Sequence, residues 1–196
     1  MMKRKGILLF LLLFSGVTAC KNTHKEPEGY AQALTVYLEC KEQADVNCLF
    51  QLTSPDVQGI LKKTSSRIRK LKSKLEHAKK KTKSCVFKKS RLAPAVLEMT
   101  TPQDLLLFSM KKPQKPLSGL VQRVKNRIRR VSKTQGDMRL VSLMNGAVYK
   151  VGRTPDGRFY VVPEAGLKKR IVKLAARVAL ALTLTEDSRG CSASSH

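Results

Sequence analysis

The sequence predicts an α+β domain: N-terminal helices, one of them long, basic and amphipathic, then an antiparallel four-stranded meander and a C-terminal helix. Three observations carry that reading. Apolar residues recur with helical spacing from residue 30 to about residue 110. Beyond residue 126 the pattern alternates, as half-buried strands do. Gly136, Gly146 and Gly157 each stand in a turn-forming sequence and recur about every 10 residues, the spacing of a meander. A chain of 196 residues holds one such domain, with a remainder for a leader and a tether.

The chain opens MMKRK, which is cationic; residues 6–14 are apolar and residues 15–19 are small or modest, the layout of a secretory signal. The apolar run falls short of the about 20 residues that cross a bilayer. Val17-Thr18-Ala19-Cys20 resembles the lipobox of bacterial lipoproteins, whose cysteine sulfur receives a diacylglyceryl group. The resemblance implies removal of residues 1–19 as a signal peptide and a lipid anchor on Cys20. Lys21, in place of an aspartate, further implies delivery to the periplasmic face of the outer membrane in a cell that has one. A plain secretory signal with an incidental cysteine is the alternative. Residues 20–29 then form the lipidated cysteine and a flexible tether holding Pro27 and Gly29, residues 30–184 a single domain, and residues 185–196 a disordered tail.

Within the domain, Tyr30, Leu34, Tyr37 and Leu38 predict a first helix, and Val46, Leu49, Phe50 and Leu52 a second. Ser54-Pro55-Asp56 opens a third, with a capping serine and proline at the first helical position. Val57, Ile60, Leu61, Thr64, Ile68, Leu71, Leu75, Ala78 and Thr82 share one side of a helical projection, and most lysines and arginines take the rest. The spacing therefore predicts one continuous helix over residues 56–83, about 28 residues and about 40 Å long. The stretch 92–99 around Pro94 is ambiguous. Thr101-Pro102-Gln103-Asp104 opens a short helix with a capping threonine and an acid where the helix dipole favours it. Leu105, Leu106, Leu107, Phe108 and Met110 predict that this helix is well buried, and KKPQKP at 111–116 ends it.

Residues 126–133 predict a first strand, and residues 138–144 a second with Met138, Leu140, Ser142 and Met144 on one face. Asn145-Gly146 predicts a two-residue type I′ hairpin, whose central positions both need positive φ. A third strand at 147–152, a turn at Pro155-Asp156-Gly157 and a fourth strand at 159–162 follow. Residues 167–184 carry Leu167, Ile171, Leu174, Ala175, Val178 and Leu182 at helical spacing, although 178–184 also alternates as a strand does; helix is the better match. Lys173 and Arg177 interrupt it, which argues against a membrane span.

The formal net charge is +25, and it is concentrated. Residues 62–91 carry fourteen lysines and arginines against Glu76 alone, and residues 111–133 carry nine with no acid. Windows of this kind attract polyanions in a salt-dependent way. The candidate anion-binding residues are Lys70, Lys74, Lys79, Lys80, Lys81, Lys83, Arg127, Arg129 and Arg130. The other reading is that the charge only keeps these faces solvated. Nucleic acid is a disfavoured partner, because the basic windows contain only Phe87 as a platform on which a base could stack.

Five cysteines are present: Cys20, Cys40, Cys48, Cys85 and Cys191. With Cys20 acylated, four remain, enough for two disulfides in an oxidising compartment. Cys40 and Cys48 bracket the link between the first two helices, where antiparallel packing would bring the sulfurs together, and Cys85 with Cys191 is the pairing by elimination. Buried free thiols are the alternative.

Helices followed by the meander NRIRRVSKTQGDMRLVSLMNGAVYKVGRTPDGRFYVVPE resemble the nuclear transport factor 2-like fold over residues 30–163. The resemblance implies a cone of helices set into a curved sheet, with a small-ligand-binding or enzymatic cavity in some members. The helix at 56–83 is longer than that family's, and no aspartate or histidine stands where its catalytic members place them, so a shape is implied rather than an activity. His24, His77 and His196 lie in the tether, on the solvated helix face and at the terminus, and the sequence has no CxxC, HExxH, GxSxG or phosphate-cradling glycine loop. No catalytic residue, metal or cofactor is implied. The sequence points to a lipid-anchored, non-catalytic envelope protein whose polybasic surface meets anionic lipid headgroups, lipopolysaccharide or wall polymer, with nucleic-acid binding or a cone-fold ligand as the alternatives.

Overall fold

In the computed structural model, which describes residues 28–110, 127–133, 136–186 and 191, the chain is an α+β domain. Its helices are α1 (Tyr30–Glu42), α2 (Val46–Leu52), α3 (Pro55–Glu76), α4 (Lys80–Ser90), α5 (Pro102–Ser109) and α6 (Ala165–Glu186), with a 3-10 turn at Pro94–Glu98. Strands β1 (Ile128–Lys133), β2 (Met138–Leu143), β3 (Val148–Arg153) and β4 (Phe159–Val161) form one antiparallel sheet in the order β1-β2-β3-β4. The expected meander and C-terminal helix are both present.

Alternation along the strands divides the sheet. Val141, Leu143, Val151 and Val161 point inward and are buried beneath α1, which contributes Ala33, Leu34 and Tyr37. Met138, Leu140, Ser142 and Met144 share the opposite face, and Met144 is 60% exposed. On that outer face the Tyr160 ring lies over Gly152, where an added Cβ would stand 2.2 Å from the ring, so a residue larger than glycine displaces the tyrosine.

A second layer is built from α3 and α6. Val57, Leu61, Ile68, Leu71 and Leu75 of α3 are buried, as are Leu167, Ile171, Leu174, Val178 and Ala181 of α6. Ion pairs fix the direction: Lys168 meets Asp56 near the start of both helices, and Lys74 meets Glu186 near the end of both. The two helices therefore run parallel, side by side. The alternating appearance of 178–184 yields to this packing, because Val178 and Ala181 fall on the α3 side of a helix and would be separated from that core by a strand. Residues 185 and 186 complete α6 and Cys191 is bonded to Cys85, all three within the stretch expected as a disordered tail; the rest of that stretch lies outside the described residues.

The continuous helix expected over 56–83 is instead two. α3 stops at Glu76, Lys79 is extended with φ −60° and ψ 150°, and α4 starts at Lys80. No glycine or proline marks the break; the cause is tertiary. α6 ends level with Lys74, so a straight continuation would hold Val86 twelve residues past it, about 18 Å out in solvent. The bend returns α4 to α6, burying Val86 completely and bringing Cys85 to Cys191.

Three local expectations also change. Gly146, with φ 83°, is the fourth residue of a turn closed by its N–H donating to the Leu143 carbonyl, and Leu143 N–H donates to the Ala147 carbonyl. The hairpin loop is therefore the three residues Met144, Asn145 and Gly146, with only the glycine left-handed, in place of a type I′ pair. Ser54 does not cap α3 through its side chain; its hydroxyl donates to Asp56 Oδ1 at 2.6 Å. In α5, Leu105 and Leu106 are buried but Leu107 and Phe108 are 51% and 47% exposed, because one face of so short a helix meets α2, α3 and α6. Thr101 caps α5 as expected, its hydroxyl accepting from the Asp104 N–H, and Asp104 adds a bond that was not expected, its carboxylate accepting from the Thr101 N–H.

Candidate anion-binding surface

Four cysteines pair as Cys40–Cys48 and Cys85–Cys191, with Cα separations of 5.9 Å and 5.7 Å. The first ties α1 to α2 and the second ties α4 to the residues after α6. Cys20, the proposed lipidation site, lies outside the described residues, as do the leader, residues 21–27 of the tether and residues 111–126 of the second basic window.

The candidate cations fall into three groups. Lys70 and Lys74 both reach Glu186 Oε1, at 3.0 Å and 2.8 Å. Hydrogen bonds from Lys74 and then Lys70 hold the Glu186 carboxyl below its ordinary range. These two lysines thus help fasten the end of α6, and part of their charge is answered within the fold. Lys79, Lys80 and Lys81 form the second group, at the start of α4, and all three are exposed. Among the described residues no carboxylate pairs with any of them. Lys83, half-buried, turns back to donate to the Glu76 carbonyl at 3.3 Å. The third group, Arg127, Arg129 and Arg130, is exposed along β1.

The structure does not merge the two basic windows into one face. β1 packs against β2 and α1, whereas the helix that α4 packs on is α6. The electrostatics of the second group are distinctive. A helix start carries about half a positive charge and unsatisfied N–H groups, and it favours acids. α4 has no acid in its first turn and no side-chain cap, and three lysines stand there instead. At its other end Arg91 takes the left-handed conformation, φ 54°, where glycine is usual. Lys88 and Lys89 in the last turn lie where the dipole welcomes them.

Sequence reasoning missed two pieces of this arrangement. One is Glu186, an acid placed in the supposed tail that selects which lysines of α3 are answered. The other is Arg91, whose exposed side chain extends the basic run of α4. The i+112 relation of Lys74 to Glu186 has no local signature. An arginine just past a helical stretch does have one, since that position is where a left-handed cap falls.

Elsewhere the titratable groups are structural. Burial would raise the Asp56 carboxyl, but hydrogen bonds from Lys168, Ser54 and the Val57 N–H, with the Lys168 charge, hold it below the usual range. The Tyr37 phenol is pushed far above its ordinary value by burial, then by Glu164 and Tyr149, and stays protonated. Among the described residues no group of three or more histidines, cysteines, aspartates or glutamates is placed to hold a metal ion, and no helix is long and apolar enough to cross a membrane. No protein-family model matches the chain, and neither a curated protein nor a solved structure is significantly similar to it. None of these comparisons bears on the expected resemblance to nuclear transport factor 2-like proteins.

Proposed function

We propose that this is an exported protein, tethered by lipid on Cys20, whose basic α4 surface binds an anionic component of the envelope to which it is tethered: lipid headgroups, lipopolysaccharide or wall polymer. The carrying observation is the start of α4, where Lys79, Lys80 and Lys81 add their charge to the positive end of the helix and meet no described carboxylate. Such an arrangement works against folding when empty and is relieved when an anion sits there. Support for the compartment comes from the leader and the lipobox-like Val17 to Cys20, together with two disulfides, which persist in oxidising surroundings. A tether of about ten residues keeps the domain beside the membrane, so its anions are the first this surface meets.

The test is co-sedimentation of the purified chain with vesicles containing anionic lipid, compared with neutral vesicles, from low to high salt. Each basic side chain near an anionic surface contributes about 1 kcal/mol, so replacing Lys79, Lys80 and Lys81 together by glutamine weakens binding about 100-fold. Binding that ignores both salt and these lysines excludes this reading. For the anchor, Cys20→Ala releases the protein from the membrane fraction; retention without acyl labelling of the parent chain rejects it.

A further inference from the structure

The two edges of the sheet are finished differently. Along β4 the chain closes the edge itself: Ser54 N–H donates to the Val161 carbonyl at 3.1 Å, and Thr53 bridges to Val161 in parallel. Along β1, no described strand pairs with the outer side. An open edge is a row of main-chain donors and acceptors that another extended segment can join.

Which groups face outward follows from the hairpin. Leu143 N–H donates to the Ala147 carbonyl, toward β3, and Met144 N–H donates to the Arg127 carbonyl, toward β1. Even-numbered residues of β2 thus present their main-chain groups to β1, so Arg130–Ser142 and Ser132–Leu140 are the hydrogen-bonded pairs. Val131, between them, aims its N–H and its carbonyl at the open edge. Its side chain lies on the inner face beside buried Val141, yet it is 42% exposed, because the α1 layer thins out over this end of the sheet. The edge therefore offers a ladder and a partly uncovered apolar position beside it.

We propose that β1 accepts an extended acidic peptide segment as a fifth strand. Charge selects the occupant. Residues 127–133 carry Arg127, Arg129, Arg130 and Lys133 with no acid, and the irregularity between Ile128 and Arg130 sets Arg129 beside Arg130. Two copies of this edge paired with each other would bring six arginines together, Arg127, Arg129 and Arg130 of each, with no acid among them, which disfavours a second copy of the chain. A segment that alternates acidic with β-branched residues answers the arginines from one face and covers Val131 from the other. The strand of six residues takes a segment of about 20 Å. This surface is distinct from α4, and the proposal stands or falls apart from the reading above.

The probe is an acetylated nonapeptide alternating glutamate with valine, labelled for anisotropy and added to the full chain, with amide exchange read at Val131. In the free protein the Val131 amide exchanges quickly and those of Arg130 and Ser132 slowly; bound peptide slows Val131. Val131→Pro removes the outward donor while sparing the β1–β2 ladder, and weakens binding about tenfold or more, whereas Val131→Thr keeps it within about threefold. N-methylating every peptide bond of the probe, so that neither of its edges can donate, abolishes binding and leaves the protein untouched, which keeps the test open should the proline variant unfold the strand. Three results overturn the proposal: equal binding of the N-methylated peptide, equal competition by heparin with no protection at Val131, or a Val131 amide already protected in the free chain. The first two show a merely cationic surface, and the third an edge already occupied.

Discussion

α3 and α4 follow one another in the chain, share a basic composition and differ in almost everything that stabilises a helix. α3 opens with Pro55 in its first turn and Asp56 bound to Lys168, and it buries seven residues, among them Leu61, Ile68 and Leu71. α4 opens with lysines, has no cap, closes on a left-handed arginine and buries only Val86 and Ser90. Part of the charge in α3 is organised around folding: Glu186 answers Lys70 and Lys74, Glu98 answers Lys72, and Asp56 answers Lys168 of α6. At the start of α4, Lys79, Lys80 and Lys81 meet no carboxylate among the described residues, and the helix is retained by a disulfide, buried Val86 and half-buried Phe87. The comparison separates cations that serve the fold from cations that are available to a ligand, a distinction that composition alone does not make.

The largest effect is expected at the covalent tie. Cys85→Ser with Cys191→Ser opens a bridge between residues 106 apart and costs about 2 to 5 kcal/mol in thermal or denaturant unfolding. The loss is local in character. Amide exchange in α4 rises toward that of an unprotected segment, while the buried turns of α3 keep their protection. Equal loss of protection in both helices would show that α4 is held by packing as α3 is, and would erase the contrast.

At the start of α3, Asp56→Asn removes a carboxylate that meets Lys168, Ser54 and the helix dipole at once. Because the Asp56–Lys168 pair is about half exposed, solvent screening limits its contribution, and the expected cost is about 1 kcal/mol. The pH dependence has a definite sign. Asp56 titrates below its ordinary range in the folded state, so its contribution is complete at neutral pH and is lost as pH falls through the depressed value. The stability gap between the native chain and Asp56→Asn is therefore constant above about pH 5 and closes below about pH 4. A gap that persists in acid would point to packing, not charge.

How much of this was legible in the residues follows the range of the interactions. Elements fixed by local signals were readable: the threonine cap and first-turn acid of α5, the meander punctuated by Gly136, Gly146 and Gly157, and the apolar stripe of α3. Features fixed by distant partners were not. Nothing near His77 announces a break, since it depends on where α6 ends, more than a hundred residues later. The burial of Leu105 and Leu106 but not Leu107 and Phe108 depends likewise on which neighbours a two-turn helix meets. The hairpin shows an intermediate case: Asn145-Gly146 marks the turn, but the register of Leu143 against Ala147 decides that its loop has three residues. For the candidate surface, sequence supplied the cations and could not rank them, because the acid that answers Lys70 and Lys74 stands at position 186.

The smallest effects sharpen the contrast most directly, because they are expected to raise stability. Arg91→Gly relieves a left-handed backbone that an arginine adopts at a cost, and gains about 1 kcal/mol. Lys80→Glu places an acid in the first turn of α4 and gains about 0.3 to 1 kcal/mol from the dipole at low ionic strength, with less in high salt. Under the proposed function the same Lys80→Glu change weakens vesicle binding, since it both removes one cation and repels the anion. Stability and binding would then move in opposite directions from a single exposed side chain. At Asp56, where charge serves the fold, substitution lowers stability and leaves binding unchanged. If Lys80→Glu stabilises α4 without affecting vesicle binding, the lysines at its start are only solvated charge. If it destabilises α4, an answering carboxylate is present and the two helices are alike after all.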